Sequence, residues 1–268
     1  MKRSDGIFIS LNKSGQITIF VIAAILIIAI AGLFFLFRTG IIENLGIGGK
    51  PETNVNAFLS SCMEEKIRES VNNLALRGGS FENLPSVEFQ FEGEEFRKIS
   101  YLCYTQGNYV PCVNQIGLVL PYLENEIKNY LNQDVKDCFD EMVSSFDRQG
   151  FEVNPRYDGF QIELSPNLVT VQTISELTLT KSDETTTQQN FKVGLRSSLY
   201  DNLLVVQEII NQQAIFCNFD TNGFSILYPD FDIREIKVDN LQSSIYVVKN
   251  VDGGDFRFAV RSCVIPVF

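Results

Sequence analysis

One long apolar segment dominates the hydrophobic pattern near the start of the chain. Residues 17–37 read ITIFVIAAILIIAIAGLFFLF, with no charge and no proline. As a helix they would span roughly 30 Å, the thickness of a bilayer's hydrocarbon core. Buried helices of soluble proteins rarely run this long without a polar side chain. A cleaved secretory signal has a shorter apolar region, of about 7–15 residues. The segment therefore predicts a single transmembrane helix.

Beyond a glycine-rich stalk linker at residues 38–51, the pattern alternates between two periods. Apolar residues at helical spacing predict helices over residues 53–77, 113–149 and 199–216. Period-two alternation predicts strands at residues 87–91, 98–104, 159–164, 169–180, 190–195, 224–228, 233–238, 244–249 and 256–261. A polar turn is expected at residues 181–189. This order predicts an α+β ectodomain over residues 52–268, with a candidate sub-boundary near residue 150.

The charges around the apolar segment predict its orientation. Lys2, Arg3 and Lys13 precede it against a single Asp5. Basic residues favour the cytoplasmic side of a membrane. We therefore expect residues 1–16 to form a cytoplasmic or leader segment of a single-pass cell-membrane protein, and the C-terminal region to be extracellular.

Acidic residues outnumber basic ones in that C-terminal region. From Pro51 onward the chain has 17 Lys and Arg against 31 Asp and Glu. A negative field of this kind repels phosphate backbones, so we expect no nucleic-acid partner. A solvated acidic surface explains the charge better than a specific cation-binding role.

All six cysteines lie after the apolar segment. An even number confined to the translocated part predicts disulfides in an oxidising compartment, and no C-x-x-C spacing indicates a metal site. We predict a bridge between Cys62 and Cys138, because both lie on apolar helix faces that bury most simply against each other. The other predicted pairs are Cys103 with Cys112, across a short loop, and Cys217 with Cys263, between the last helix and the final strand. Buried free thiols are the alternative.

The chain has no histidine, and this removes most familiar catalytic designs. Ser-His-Asp and Cys-His nucleophile systems need histidine, and no G-x-S-x-G, P-loop or G-x-G-x-x-G pattern occurs. We therefore expect no catalytic activity, no cofactor and no metal. The alternative is an anchored extracellular hydrolase that uses paired carboxylates converging in a cleft.

One acidic segment has the beginning of a calcium-loop pattern. Asn218, Asp220, Asn222 and Gly223 have the oxygen spacing of the first half of such a loop. The twelfth position is Pro229 rather than a bidentate glutamate. A β-turn is therefore the better interpretation.

The junction before the apolar segment carries a processing motif. Lys13, Gly15 and Gln16 are followed by a hydroxyl residue, Thr18. This arrangement resembles the class III signal of archaeal type IV pilins, in which a basic residue and a glycine precede a cleavage point and the new N-terminus begins with glutamine. The resemblance implies cleavage between Gly15 and Gln16 by a prepilin-type peptidase.

Phe20 departs from the pilin pattern. That position is usually a glutamate, which is thought to neutralise the amino terminus of a neighbouring subunit inside the filament. An uncompensated ammonium group in an apolar core is costly, so the missing acid disfavours self-polymerisation. The resemblance nevertheless implies other surface or pilus subunits as partners, with membrane lipid around the anchor.

The ectodomain also resembles uncharacterised archaeal membrane-anchored proteins. The matching elements are Cys62 on a first helix, the pair Gly78 and Gly79, and a later helix that carries Tyr130 and Cys138. That resemblance implies no known activity. Together the patterns predict a pilin-like cell-surface protein that acts in surface assembly, adhesion or binding.

Overall fold

The computed structural model describes residues 54–80, 84–238, 242–251 and 253–265. Residues from Asn54 onward form one compact α+β unit with two sheets. Within the described ranges, no helix is long and apolar enough to cross a membrane. The predicted transmembrane segment 17–37 and the predicted processing residues Gly15 and Gln16 lie outside those ranges.

The described residues contain four helices and ten strands. The helices are α1 (Val55–Ala75), α2 (Val119–Arg148), α3 (Leu199–Phe216) and α4 (Thr221–Leu227). The strands are β1 (Ser86–Phe89), β2 (Arg97–Tyr104), β3 (Val113–Asn114), β4 (Glu152–Ser165), β5 (Leu168–Lys181), β6 (Glu184–Gln189), β7 (Lys192–Arg196), β8 (Phe231–Val238), β9 (Ser243–Asn250) and β10 (Asp255–Arg261).

Helices α1 and α2 form an antiparallel pair. Cys62 is bonded to Cys138, one turn further Lys66 pairs with Asp134, and Gly79 just after α1 lies against Leu123 near the start of α2. Buried apolar residues recur every three or four positions along both helices, so their stripes face each other. The pair lies on the four-stranded sheet, where α1 contacts β7 and α2 contacts β4.

Helix α2 begins six residues later than residue 113, the start that the sequence predicted. The side chain of Asn114 accepts hydrogen bonds from the backbone N–H groups of Ile116 and Gly117. Gly117 has a φ of 70°, a conformation that ends any helical run. Val113 and Asn114 pair with β2 instead.

The four-stranded sheet is antiparallel, with β5 between β4 on one side and β6 and β7 on the other. Its buried face packs on the helices. The prediction of a turn over residues 181–189 was wrong, because Ser182 and Asp183 alone make the turn and β6 follows. Strand β6 has no apolar face, but its threonines pair across the ladder, with 3.0 Å between the hydroxyls of Thr178 and Thr187.

The six-stranded sheet has the order β1-β2-β10-β9-β8, with β3 also on β2. Strands β2 and β10 are parallel, and the other neighbours are antiparallel. Both faces are largely buried in the centre of this sheet, since a second apolar cluster around Ile99, Tyr101 and Ile245 lies apart from the main core. The Arg257 guanidinium is buried among its neighbours and binds both Glu94 carboxylate oxygens at 2.8 Å.

Helix α3 is the central helix and has the bounds that the sequence predicted. It contacts strands of both sheets, and Leu203, Val206 and Ile209 are fully buried. The strand predicted at residues 224–228 is wrong. That segment belongs to α4, which begins where the Asp220 side chain accepts from the Gly223 N–H at 3.0 Å. Asp220 is therefore a helix cap, and the predicted β-turn at this position is also wrong.

Candidate functional site: an uncharged apolar tip

Three segments that are distant in the chain meet beyond the end of α3. They are the loop between β2 and β3, the last turn of α3, and the residues after β10. The Cys217–Cys263 disulfide joins α3 to the segment after β10, and Cys103–Cys112 closes the loop. The Cys263 N–H donates to the Val110 carbonyl at 2.8 Å. These bonds hold the three segments together as one surface.

Ser262 adds a polar link between all three segments. Its hydroxyl accepts from the Cys112 N–H at 3.0 Å and donates to the Gln213 carbonyl at 3.0 Å. The Gln213 side chain in turn donates to the buried Tyr246 hydroxyl at 2.7 Å. Burial raises the pKa of Tyr246, so it stays a neutral phenol. The surface is thereby fixed to β9 of the six-stranded sheet.

Large apolar side chains stand exposed on this surface, with exposed fractions between 44% and 74%. We call this set the apolar tip: Tyr109, Val110, Val113, Ile215, Phe216 and Ile265. Each member lies within two residues of a bond that joins the three segments. Exposed apolar groups gathered in this way are typical of interaction sites, whereas single ones are ordinary.

The segments that carry the apolar tip also lack charge. No Asp, Glu, Lys or Arg occurs in residues 99–123, 209–219 or 262–268. Arg261, which directly precedes residue 262, donates to the Thr105 carbonyl and, at 3.4 Å, to the Asn108 side chain. Arg261 therefore braces the loop from its base. The depletion of charge is what the centre of a protein interface shows.

Backbone conformation at the apolar tip is unusual. Tyr109, Cys217 and Cys263 have φ angles of 60°, 57° and 44°, in the left-handed region that non-glycine residues seldom adopt. Such conformations persist only where the surroundings enforce them, and they concentrate at functional sites. Here Cys217 is the C-cap of α3, a common place for this conformation. The N–H groups of Tyr109 and Cys263 donate to the carbonyls of Val264 and Val110, so hydrogen bonds between the segments hold the surface in place.

The surface near the start of α1 and the end of α2 is charged, in contrast to the apolar tip. There, Lys66 forms an ion pair with Asp134 at 2.5 Å, which raises the pKa of Lys66, and Lys136 pairs with Asp140. A surface cavity of about 330 Å³ lies beside them, lined by Asp137, Asp140, Glu141, Ser144 and Arg148. These carboxylates come from one helix face and not from separate elements across a cleft, the geometry that the hydrolase alternative requires.

Two acids of the C-terminal strands have structural partners. Asp232 lies 3.7 Å from Arg234, and Asp255 binds Arg257 at 3.1 Å. In the described ranges, no group of three metal-ligating side chains occurs.

The disulfides join the pairs that the sequence predicted. Cys62 is bonded to Cys138, Cys103 to Cys112, and Cys217 to Cys263. Cys62 and Cys138 hold the helix pair, and the other four cysteines hold the apolar tip. The sequence interpretation missed the tip itself, although the uncharged run of residues 99–123 was a visible signal.

Comparison with known proteins finds no matching family model, no matching curated protein and no matching solved structure.

Proposed function

We propose that this chain is a membrane-anchored cell-surface protein that binds a protein partner through the apolar tip. The observation that carries the proposal is the convergence of three charge-free segments on one exposed apolar surface. An exposed surface of this composition, on a domain that is otherwise rich in acids, is a candidate for burial against a partner.

The construction of the tip supports binding. Association is weakened when loops must be ordered, and two disulfides at the tip have already restricted its segments. Aromatic residues are enriched in interface centres, and Tyr109 and Phe216 are both exposed at the tip.

The support for a membrane anchor comes from the amino-acid sequence. The apolar run of residues 17–37 is long enough to span a bilayer, and all cysteines follow it. Three disulfides fit an oxidising space outside the cell. We therefore assign the ectodomain to the cell surface.

Pilin-like processing is a further part of the proposal, motivated by Gly15, Gln16 and Thr18. Cleavage would expose Gln16 as the new N-terminus. Phe20 lacks the acid that pairs with a neighbour's amino terminus, which favours an anchored or accessory subunit over a self-polymerising one. Mass spectrometry of the protein extracted from its native membranes tests this: a chain that starts at Gln16 is expected, and an intact Met1 would remove the pilin-like interpretation.

Site-specific photocrosslinking tests the binding role. A benzophenone side chain replaces Phe216 in cells that make the protein, and the same side chain replaces Phe96 as the control. The two phenylalanines are equally exposed, by 70% and 71%, but Phe96 lies outside the tip between Glu95 and Arg97. We expect a discrete protein adduct from position 216 alone, and Ile215→Glu should abolish it. Equal adducts from both positions, or none from 216, would contradict the proposal.

A further inference from the structure

Building on the proposed binding role, we infer that the partner of the apolar tip is the apolar tip of a second copy of this chain. The inference combines the distribution of charge over the ectodomain with the position of the tip in the fold. Each limits how two copies can approach one another.

Charge disfavours contacts between the acidic surfaces of two copies. With 31 acidic against 17 basic residues after the stalk, two copies repel each other at most orientations. The edge strand β4 carries charges along its length, among them Glu152, Arg156 and Glu163, and β6 has one charge, Glu184, at its start. Charges on edge strands hinder pairing with another chain. Contact through the uncharged tip keeps the acidic surfaces apart while it buries apolar area.

The tip lies at the far end of the fold from Asn54, the first described residue. Helix α1 has 21 residues and therefore runs roughly 30 Å away from Asn54. Its end is hydrogen-bonded to β2, where the Ser100 N–H donates to the Arg77 carbonyl. Strand β2 then continues to Cys103, which is bonded to Cys112 at the base of the tip. Asn54 therefore lies at the end of the ectodomain remote from the tip.

A tip-to-tip contact places the two Asn54 ends on opposite sides of the pair. Such a contact is self-complementary around a two-fold axis, the commonest symmetry of protein pairs. It suits molecules that are anchored on two facing surfaces, and it leaves no free tip for a third copy. The contact therefore gives a closed pair that bridges surfaces, and not a filament.

Bead clustering tests this inference with the full chain. The protein is biotinylated at its N-terminus, immobilised on streptavidin beads in detergent, and checked by mass for three intact disulfides. We expect wild-type beads to cluster with one another. The variants Phe216→Glu and Tyr109→Ser should each lower clustering at least about tenfold, as central aromatic residues of an interface do. Phe96→Glu, which changes a matched exposed phenylalanine, should cluster like the wild type.

The outcomes separate the inference from the proposed function. Wild-type beads that do not cluster, or a Phe96→Glu variant that fails equally, would overturn the second-copy inference. Clustering that disappears when phosphatidylcholine is added to the detergent, with more of the lipid retained on wild-type than on Phe216→Glu beads, would overturn it in favour of lipid. In either case the photocrosslink at position 216 still decides the binding role, because an adduct with a different protein supports that role and excludes self-docking. An adduct with the mass of two copies supports both.

Discussion

The two ends of the ectodomain are both closed by disulfides but present opposite surfaces. At the helix-pair end, where α1 begins and α2 ends, Cys62–Cys138 lies among exposed ion pairs such as Lys66 with Asp134. At the apolar tip, Cys217–Cys263 lies beside exposed apolar side chains, and residues 209–219 and 262–268 around it carry no charge. The charged end is suited to remain in water, and the uncharged end is suited to be covered.

The disulfides at the two ends serve different purposes. Cys62–Cys138 joins helices whose apolar faces are already buried against each other, so its effect is on stability. The bridges at the tip hold loop and terminal segments that present Tyr109 and Phe216, so their effect is also on docking. Changes at the two ends should therefore separate stability from binding.

Removal of the helix-pair bridge should have the largest effect on stability. Cys62→Ala with Cys138→Ala opens a loop of 76 residues, and chain-entropy arguments place the loss at about 4 kcal/mol. Cys103→Ala with Cys112→Ala opens a loop of only 9 residues, with an expected loss of about 2–3 kcal/mol. Urea unfolding measures both. Bead clustering should fall more in the Cys103→Ala, Cys112→Ala variant than in the Cys62→Ala, Cys138→Ala variant. Normal clustering of the Cys103→Ala, Cys112→Ala variant would show that this bridge does not affect docking.

A buried charge should matter more than the exposed pairs at the helix-pair end. Arg257 is held by Glu94 at two distances of 2.8 Å and lies 4.0 Å from the centre of the Phe91 ring. Glu94→Gln removes the negative charge that faces the buried Arg257 guanidinium and should lower the free energy of unfolding by about 2 kcal/mol. Thermal and urea unfolding test this, with Glu95→Gln as the neighbouring exposed control. A loss no larger than the control's would contradict the role of the pair.

The same ion pair predicts a pH dependence. The hydrogen bonds from Arg257 hold the pKa of Glu94 below its ordinary value of 4.5, against the opposing effect of burial. The stabilisation is therefore present above pH 4.5 and is lost as the pH falls through the lowered pKa of the folded state. Between pH 5 and pH 3, wild-type stability should decline more steeply than that of Glu94→Gln. Parallel declines would show that another carboxylate is responsible.

The exposed pair at the helix-pair end should contribute little. Lys66 and Asp134 are exposed by 39% and 35%, so solvent screens their attraction. Asp134→Asn should change the free energy of unfolding by less than about 1 kcal/mol and should leave bead clustering unchanged. A reduction in clustering would mean that the charged end also takes part in docking.

Substitution at the tip should have the smallest effect on stability. Phe216 is mostly exposed and ends α3, so Phe216→Ser should alter the free energy of unfolding by no more than about 0.5 kcal/mol. Differential scanning calorimetry tests this. A large loss of stability would show that Phe216 packs in the core. The docking role of the tip would then be judged from the Tyr109→Ser variant.

The sequence predicted the elements whose apolar side chains follow one clear period. Helix α3 is the best case, since Leu203, Val206 and Ile210 are buried at helical spacing, and the three disulfide pairs followed from the same patterns. Strand β6 was missed because Thr185 and its polar neighbours are stabilised by cross-strand hydroxyl pairs and leave no alternation to detect. Helix α4 was missed because none of its residues is buried.

The apolar tip was missed for a different reason. Its residues are scattered over three segments, and exposure is a property of the folded chain. The predicted Cys217–Cys263 pair already implies that residues 209–219 and 262–268 lie side by side, and both segments are free of charge. Local patterns describe what a segment buries, whereas a docking surface consists of what the assembled fold leaves uncovered.

Hydrogen–deuterium exchange of the full chain at low and high protein concentration shows where two copies cover one another, and therefore tests whether the apolar tips are in contact. We predict concentration-dependent protection confined to residues 105–118, 209–219 and 262–265, and loss of that protection in Phe216→Glu but not in Phe96→Glu. Protection along the edge strands β4 or β6, or no protection of the tip at any concentration, would show that the apolar tip is not the contact between copies.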